Sequence, residues 1–136
     1  MTYQTWRQRT LGLMGALMLD AILGIALTTV INFDPSKPST VQDVFLVLHI
    51  LIAVGIIVGG IIQLVLSIRK RVLRLPITIG FISSLLAFGA GGISADNGNS
   101  VAVFIMAVCF IIALAAYGYS QTQLSNRLST VSVEHQ

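Results

Sequence analysis

Four apolar stretches, each about as long as a helix needs to cross a bilayer, constrain this chain more than any other feature. A membrane-spanning helix takes roughly 20 mainly apolar residues, and runs of that kind cover about 10–31, 43–68, 76–95 and 101–119. A water-soluble domain needs roughly a quarter of its residues charged to solvate its surface. Here 10% are charged, 55% are hydrophobic and the mean hydropathy is +0.89. The expected fold is therefore all-α, an integral membrane bundle of four transmembrane helices. A spanning segment must satisfy its own backbone hydrogen bonds, which helices do.

Polar segments divide the chain. Residues 1–9 form a short N-terminal segment, 10–119 the four-helix domain and 120–136 a polar tail. The first apolar run is too long for a signal-peptide core and has no small-x-small cleavage pattern behind it, so it is expected to remain attached. Pro35 and Pro38, among Asp34, Ser36 and Ser39, forbid a continuous helix between the first two spans. Asp43 is a candidate cap for the second span, and Pro76 suits the first turn of the third. Trp6 and Tyr3 have the character of an interfacial belt.

Orientation follows from the basic residues, which stay on the cytoplasmic side during insertion. Arg7, Arg9, Arg69, Lys70, Arg71, Arg74 and Arg127 fall at one end of such a bundle, against Lys37 alone at the other. Both termini are expected in the cytoplasm of a cell with a bacterial-type cytoplasmic membrane. The same placement beside apolar spans marks the positive charge as a topology signal, not a nucleic-acid footprint. The expected partners are the lipid bilayer and a second copy or another membrane protein.

Asp20 stands near the middle of the first span, where a carboxyl group costs about 2.5–3.5 kcal/mol on insertion scales. Steps of four residues align Gly12, Ala16, Asp20, Gly24 and Thr28, a small or polar stripe that lets a neighbouring helix approach. Asp20 is thus expected inside the bundle, either hydrogen-bonded between helices or handling a proton. His49 occupies the outer part of the second span, and Ala53, Ile56, Gly60 and Gln63 share its face. A neutral imidazole there is either a structural hydrogen-bonding residue or a metal or haem ligand. With spans ending as drawn, Asp20 lies about ten residues and His49 about six from their outer helix ends. At 1.5 Å per residue this is a mismatch of about 6 Å, so direct contact requires a shift or tilt. Gly55 and Gly59 have the spacing of a close helix contact.

The two halves of the chain share a plan. Laying Asp43–Ile50 over Ser100–Ala107 sets Met106 opposite His49, and Leu23–Ala26 over Phe88–Gly91 sets Gly24 opposite Gly89 if the first outer loop is eight residues longer. Leu19-Asp20-Ala21-Ile22-Leu23-Gly24-Ile25-Ala26-Leu27-Thr28, an outer loop and then Leu48-His49-Ile50-Leu51 resembles one helix-pair unit of the haem A synthase family, and small four-span proteins of that plan. Gly24 and His49 are the positions that match. The chain departs from the family in carrying Asp20 where Gln is common, and Met106 where a second His would stand. The resemblance implies haem b as a candidate cofactor, with His49 and Met106 as candidate axial ligands.

No Ser/His/Asp, His-Glu-x-x-His or paired-carboxylate arrangement occurs, so no catalytic residue and no metal cluster is assigned. Cys109, the single cysteine, can form no intramolecular disulfide and reads as a packing residue. Ser83 and Ser84 can bond to their own helix backbone. The leading expectation is a non-enzymatic structural, accessory or regulatory membrane component. A haem-binding or electron-transfer module using His49, and a small proton-coupled carrier using Asp20, are the alternatives.

Overall fold

A computed structural model describes residues 3–29, 39–97 and 100–133, with side chains described for 4–27, 39–94 and 100–127. The loop bearing Lys37 and the tail residue His135 lie outside the described residues. The chain forms α1 (Tyr3–Thr29), α2 (Thr40–Lys70), α3 (Arg74–Asn97) and α4 (Ser100–Val133), with no strand among the described residues. All four helices are long and apolar enough to span a membrane. Among the described residues each helix packs on its sequence neighbours and α1 closes against α4, so the bundle is a square ring whose diagonal helices meet only through side chains at the core.

The bundle is turned inside out relative to a soluble one. Met18, Ile22, Leu51, Phe104 and Ile111 stand on its flanks, while Thr10, Asp20, Gln63, Ser67, Ser84 and Ser120 are buried. Water would penalise that surface, whereas lipid has no polar partners to offer and drives polar groups inward. Several buried hydroxyls satisfy themselves on their own helix, as Ser84 Oγ does on the Gly80 carbonyl at 2.9 Å and Ser120 Oγ on that of Ala116 at 2.9 Å.

Helix ends are set by local chemistry. The start of α2 is capped by Ser39, not Asp43: Ser39 Oγ accepts from the Gln42 amide at 3.3 Å, and Gln42 Oε1 accepts from the Ser39 amide at 3.2 Å. This reciprocal box satisfies two otherwise orphaned donors, and Asp43 is left in the first turn, where its charge favours the helix dipole. At the other end Arg71 and Leu73 adopt positive φ, 55° and 56°, and Ser67 Oγ bonds to the Val72 carbonyl at 2.8 Å. That tight reversal makes α2 and α3 antiparallel neighbours.

Trp6 departs from the interfacial expectation. It is fully buried, because its indole N–H finds a partner inside: Nε1 donates to Gln63 Oε1. Gln63 Nε2 in turn donates to Thr10 Oγ1 at 3.1 Å, and Thr10 Oγ1 donates to the Trp6 carbonyl at 3.1 Å. This closed network ties α1 to α2 near the basic end of the bundle.

Burial also reveals the internal plan. Buried positions 10, 13, 17, 20 and 23 of α1 recur in α3 at 77, 80, 84, 87 and 90, while 56, 60, 63 and 67 of α2 recur in α4 at 113, 117, 120 and 124. Met106 does answer His49 in this register, but Gly91 answers Gly24, so the expected pairing with Gly89 is two residues out. Contacts agree: a Cβ on Gly24 would lie 3.5 Å from His49 Cε1, and one on Gly91 would lie 3.2 Å from Met106 Sδ. Apolar runs align almost equally well at several offsets, and packing selects one.

The second half is the more tightly closed. The Tyr117 ring lies against Gly80, where an added Cβ would come within 3.0 Å of it, and Phe88 meets Phe110 edge-on at 5.9 Å. Gly80→Ala is therefore expected to cost about 1–3 kcal/mol by overpacking. Gly92, which faces open space, should tolerate Ala. Thermal unfolding in detergent checks this, and equal midpoints for the two variants would contradict the packing described.

Candidate functional site: the Asp20–His49 pair

Asp20 and His49 meet across the α1–α2 seam, with His49 Nδ1 2.9 Å from Asp20 Oδ1. The mismatch in depth disappears because α1 ends at Thr29 and α2 begins at Thr40. Each residue then lies nine positions from its helix end, or about 13 Å at 1.5 Å per residue. The capping box at Ser39, by starting α2 ahead of Asp43, brings the two side chains level.

The environment of the pair is asymmetric. The Asp20 side chain is fully buried, whereas that of His49 is 20% exposed, and since Nδ1 is itself buried the exposed part lies elsewhere on the side chain. Asp20 Oδ2 is buried without a partner, and the Oδ1–Nδ1 approach is a close ion-pair contact outside hydrogen-bond geometry. Gly24, one turn beyond Asp20, lies beside the imidazole, where an added Cβ would be in van der Waals contact with Cε1 at 3.5 Å. Leu13, Leu17, Ile56, Ala87, Phe110, Ala113 and Tyr117 form a continuous core that runs from the level of the pair toward the basic end.

The other candidate residues fall elsewhere. Met106 packs against Gly91 in the α3–α4 seam, and α2 and α4 are diagonal in the bundle, so Met106 and His49 occupy separate seams. Gln63 belongs to the Trp6–Thr10 network. Gly59 lies under Leu13, where an added Cβ would be 3.0 Å from Cδ1, but nothing lies within 4 Å of the Cβ positions of Gly12 and Gly55. Ala16 is half-buried, and the side chain of Thr28 lies outside the described residues. Among the described residues no group of three metal-ligating side chains occurs. No family model matches the chain, and neither a curated protein nor a solved structure matches it.

Chemically, the arrangement is a carboxyl group and an imidazole that can share a proton in apolar surroundings, with one partner reachable from outside. Asp20→Leu strands a buried Nδ1 and is expected to cost about 1–3 kcal/mol, whereas Asp20→Asn retains a hydrogen-bonding group and should fold. In a His49→Phe background the Leu substitution should cost clearly less, because the interaction it removes is already gone. Thermal denaturation of the four proteins in detergent measures the coupling, and additive effects would mean that the pair does not interact.

Proposed function

We propose that the protein is a small multi-pass membrane component, non-enzymatic and accessory or regulatory in role, whose working centre is the Asp20–His49 pair. The observation that supports this reading is the close approach of two ionisable side chains at mid-helix, one sealed and one partly exposed. Ionisable groups are expensive within a membrane and mark functional positions by default. With a neutral imidazole and an ionised carboxylate the pair carries one negative charge, and uptake of one proton neutralises it. The α1–α2 seam thereby has two charge states, switched at the exposed part of the imidazole. Basic residues gathered at one end argue for an orientation with both termini in the cytoplasm and the pair toward the outer side.

Two measurements test this reading. A cysteine placed at Ser36 should react with an impermeant reagent in intact cells, and one at Ser129 should not; the reverse pattern would overturn the orientation. Nitrogen NMR of the His49 ring in a His135→Gln background should show it titrating, with Asp20→Asn altering that titration. An imidazole that keeps one protonation state across the range in which free imidazole titrates would remove the proton-linked role.

A second reading is favoured by one feature. Histidines that bind metals commonly have one ring nitrogen held by a carboxylate while the other faces the ligand, and Asp20 holds Nδ1 in that manner. Under this reading His49 Nε2 is the protein's ligand to haem b, and Met106, lying in the other seam, is not its axial mate. Haem titration into the detergent-purified protein should give a saturable Soret band that His49→Ala abolishes and Met106→Ala leaves intact. The absence of such a band in the wild type would eliminate the reading.

A further inference from the structure

A groove of about 490 Å³ runs along the outside of the α1–α2 seam, with Gly12, Ala16, Gly55 and Gly59 as its small floor and Arg9 at one end. Open space above Gly12 and Gly55 makes it a recess and not a packed contact. Its lining on α2 extends from Ile52 to Gln63, which is about 16 Å of helix at 1.5 Å per residue. Half of a hydrocarbon core of about 30 Å is about 15 Å. The groove therefore matches one leaflet, opening at the basic end and stopping one turn short of the Asp20–His49 level.

We propose that this groove holds a glycerophospholipid with an anionic headgroup, drawn from the leaflet at the basic end, with an acyl chain over Gly12, Gly55 and Gly59 and its phosphate at Arg9. Three observations select this occupant. The lining is almost wholly apolar apart from Arg9 and Gln63, and the amide of Gln63 is already engaged by Trp6 and Thr10. Arg9 is an exposed cation, complementary to a phosphate and long enough to reach the headgroup region. The one-leaflet length suits an acyl chain, whereas a partner helix would need a groove along the full height of the bundle. A second copy docking here about an axis normal to the membrane would also bring the two Arg9 side chains to the same depth at the interface, where like charges repel. The proposal rests on the membrane reading and not on any role for the Asp20–His49 pair.

Native mass spectrometry of the full chain in mild detergent, titrated with phosphatidylglycerol or phosphatidylcholine, tests it. One phosphatidylglycerol should be retained in preference to phosphatidylcholine, by about five-fold for one basic side chain near the surface. Arg9→Gln should remove that preference, and Gly55→Leu, which fills open space, should remove retention. Gly89→Leu, equally open but on α3, should change neither, and circular dichroism of each variant verifies that the helices persist. Equal retention by the wild type and Gly55→Leu, or no headgroup preference in the wild type, would overturn the proposal. So would a dimer in the wild type that Gly55→Leu dissociates, which would assign the groove to a second copy. Failure to insert into membranes in the cysteine-labelling experiment would defeat the membrane reading itself, separately from these outcomes.

Discussion

Most of the buried polar groups among the described residues are turned toward other parts of the protein, and much of the architecture follows from that constraint. Long apolar side chains on the flanks suit a lipid surrounding, which would offer a hydroxyl, an amide or a carboxyl no partner. Serines turn onto their own helices, the Trp6 indole turns inward onto Gln63, and Asp20 turns onto His49. Each of the last two contacts joins α1 to α2 at a different depth, so together they fix the vertical register of the two helices. Burial of Leu or Ile alone could not do so, because apolar surfaces slide past one another at little cost.

The Asp20–His49 contact illustrates how a short-range signal controls a long-range one. Whether the two side chains meet depends on where α2 begins, and that depends on a Ser-x-x-Gln box of four residues. A start at Asp43 would leave the carboxyl and the imidazole offset by more than a turn of helix. The start after Ser39 sets them level, and Gly24 packs beside the ring on the α1 side. Two separate local features thus meet at one polar contact.

The four helices were legible in the sequence because length and apolar composition suffice to mark them, and burial of Asp20 was legible because an unpaired carboxyl has no other place to go. The partner of Asp20 was not, since a residue or two at each helix end decides depth and hydropathy blurs those ends. Ser39 and Gln42 carried the missing signal in a capping pattern that can be read directly. Trp6 misled for a different reason: an indole at the edge of an apolar run suits an interface equally well until a buried acceptor such as Gln63 is known to lie opposite. The two-residue error in the internal register has the same origin as all apolar alignments, namely that Leu, Ile, Val and Ala carry little positional information.

The two halves share a burial pattern but have diverged in what the pattern encloses. Where the first pair of helices has Asp20 and His49, the second has Ala87 and Met106 at the same register positions. Where the second has Tyr117 seated on Gly80 and Phe88 against Phe110, the first has the open floor of Gly12 and Gly55. The α3–α4 seam is accordingly the most extensive contact in the bundle and the α1–α2 seam the more open one. The proposed proton exchange at the pair and the proposed lipid in the groove would both need a seam that is not fully packed. Such a seam is helped by a firmer one elsewhere in the ring, and only α3–α4 is more extensive than α1–α2. Close packing between α3 and α4 supplies such support, and both candidate sites lie in the other half of a bundle built on a repeated plan.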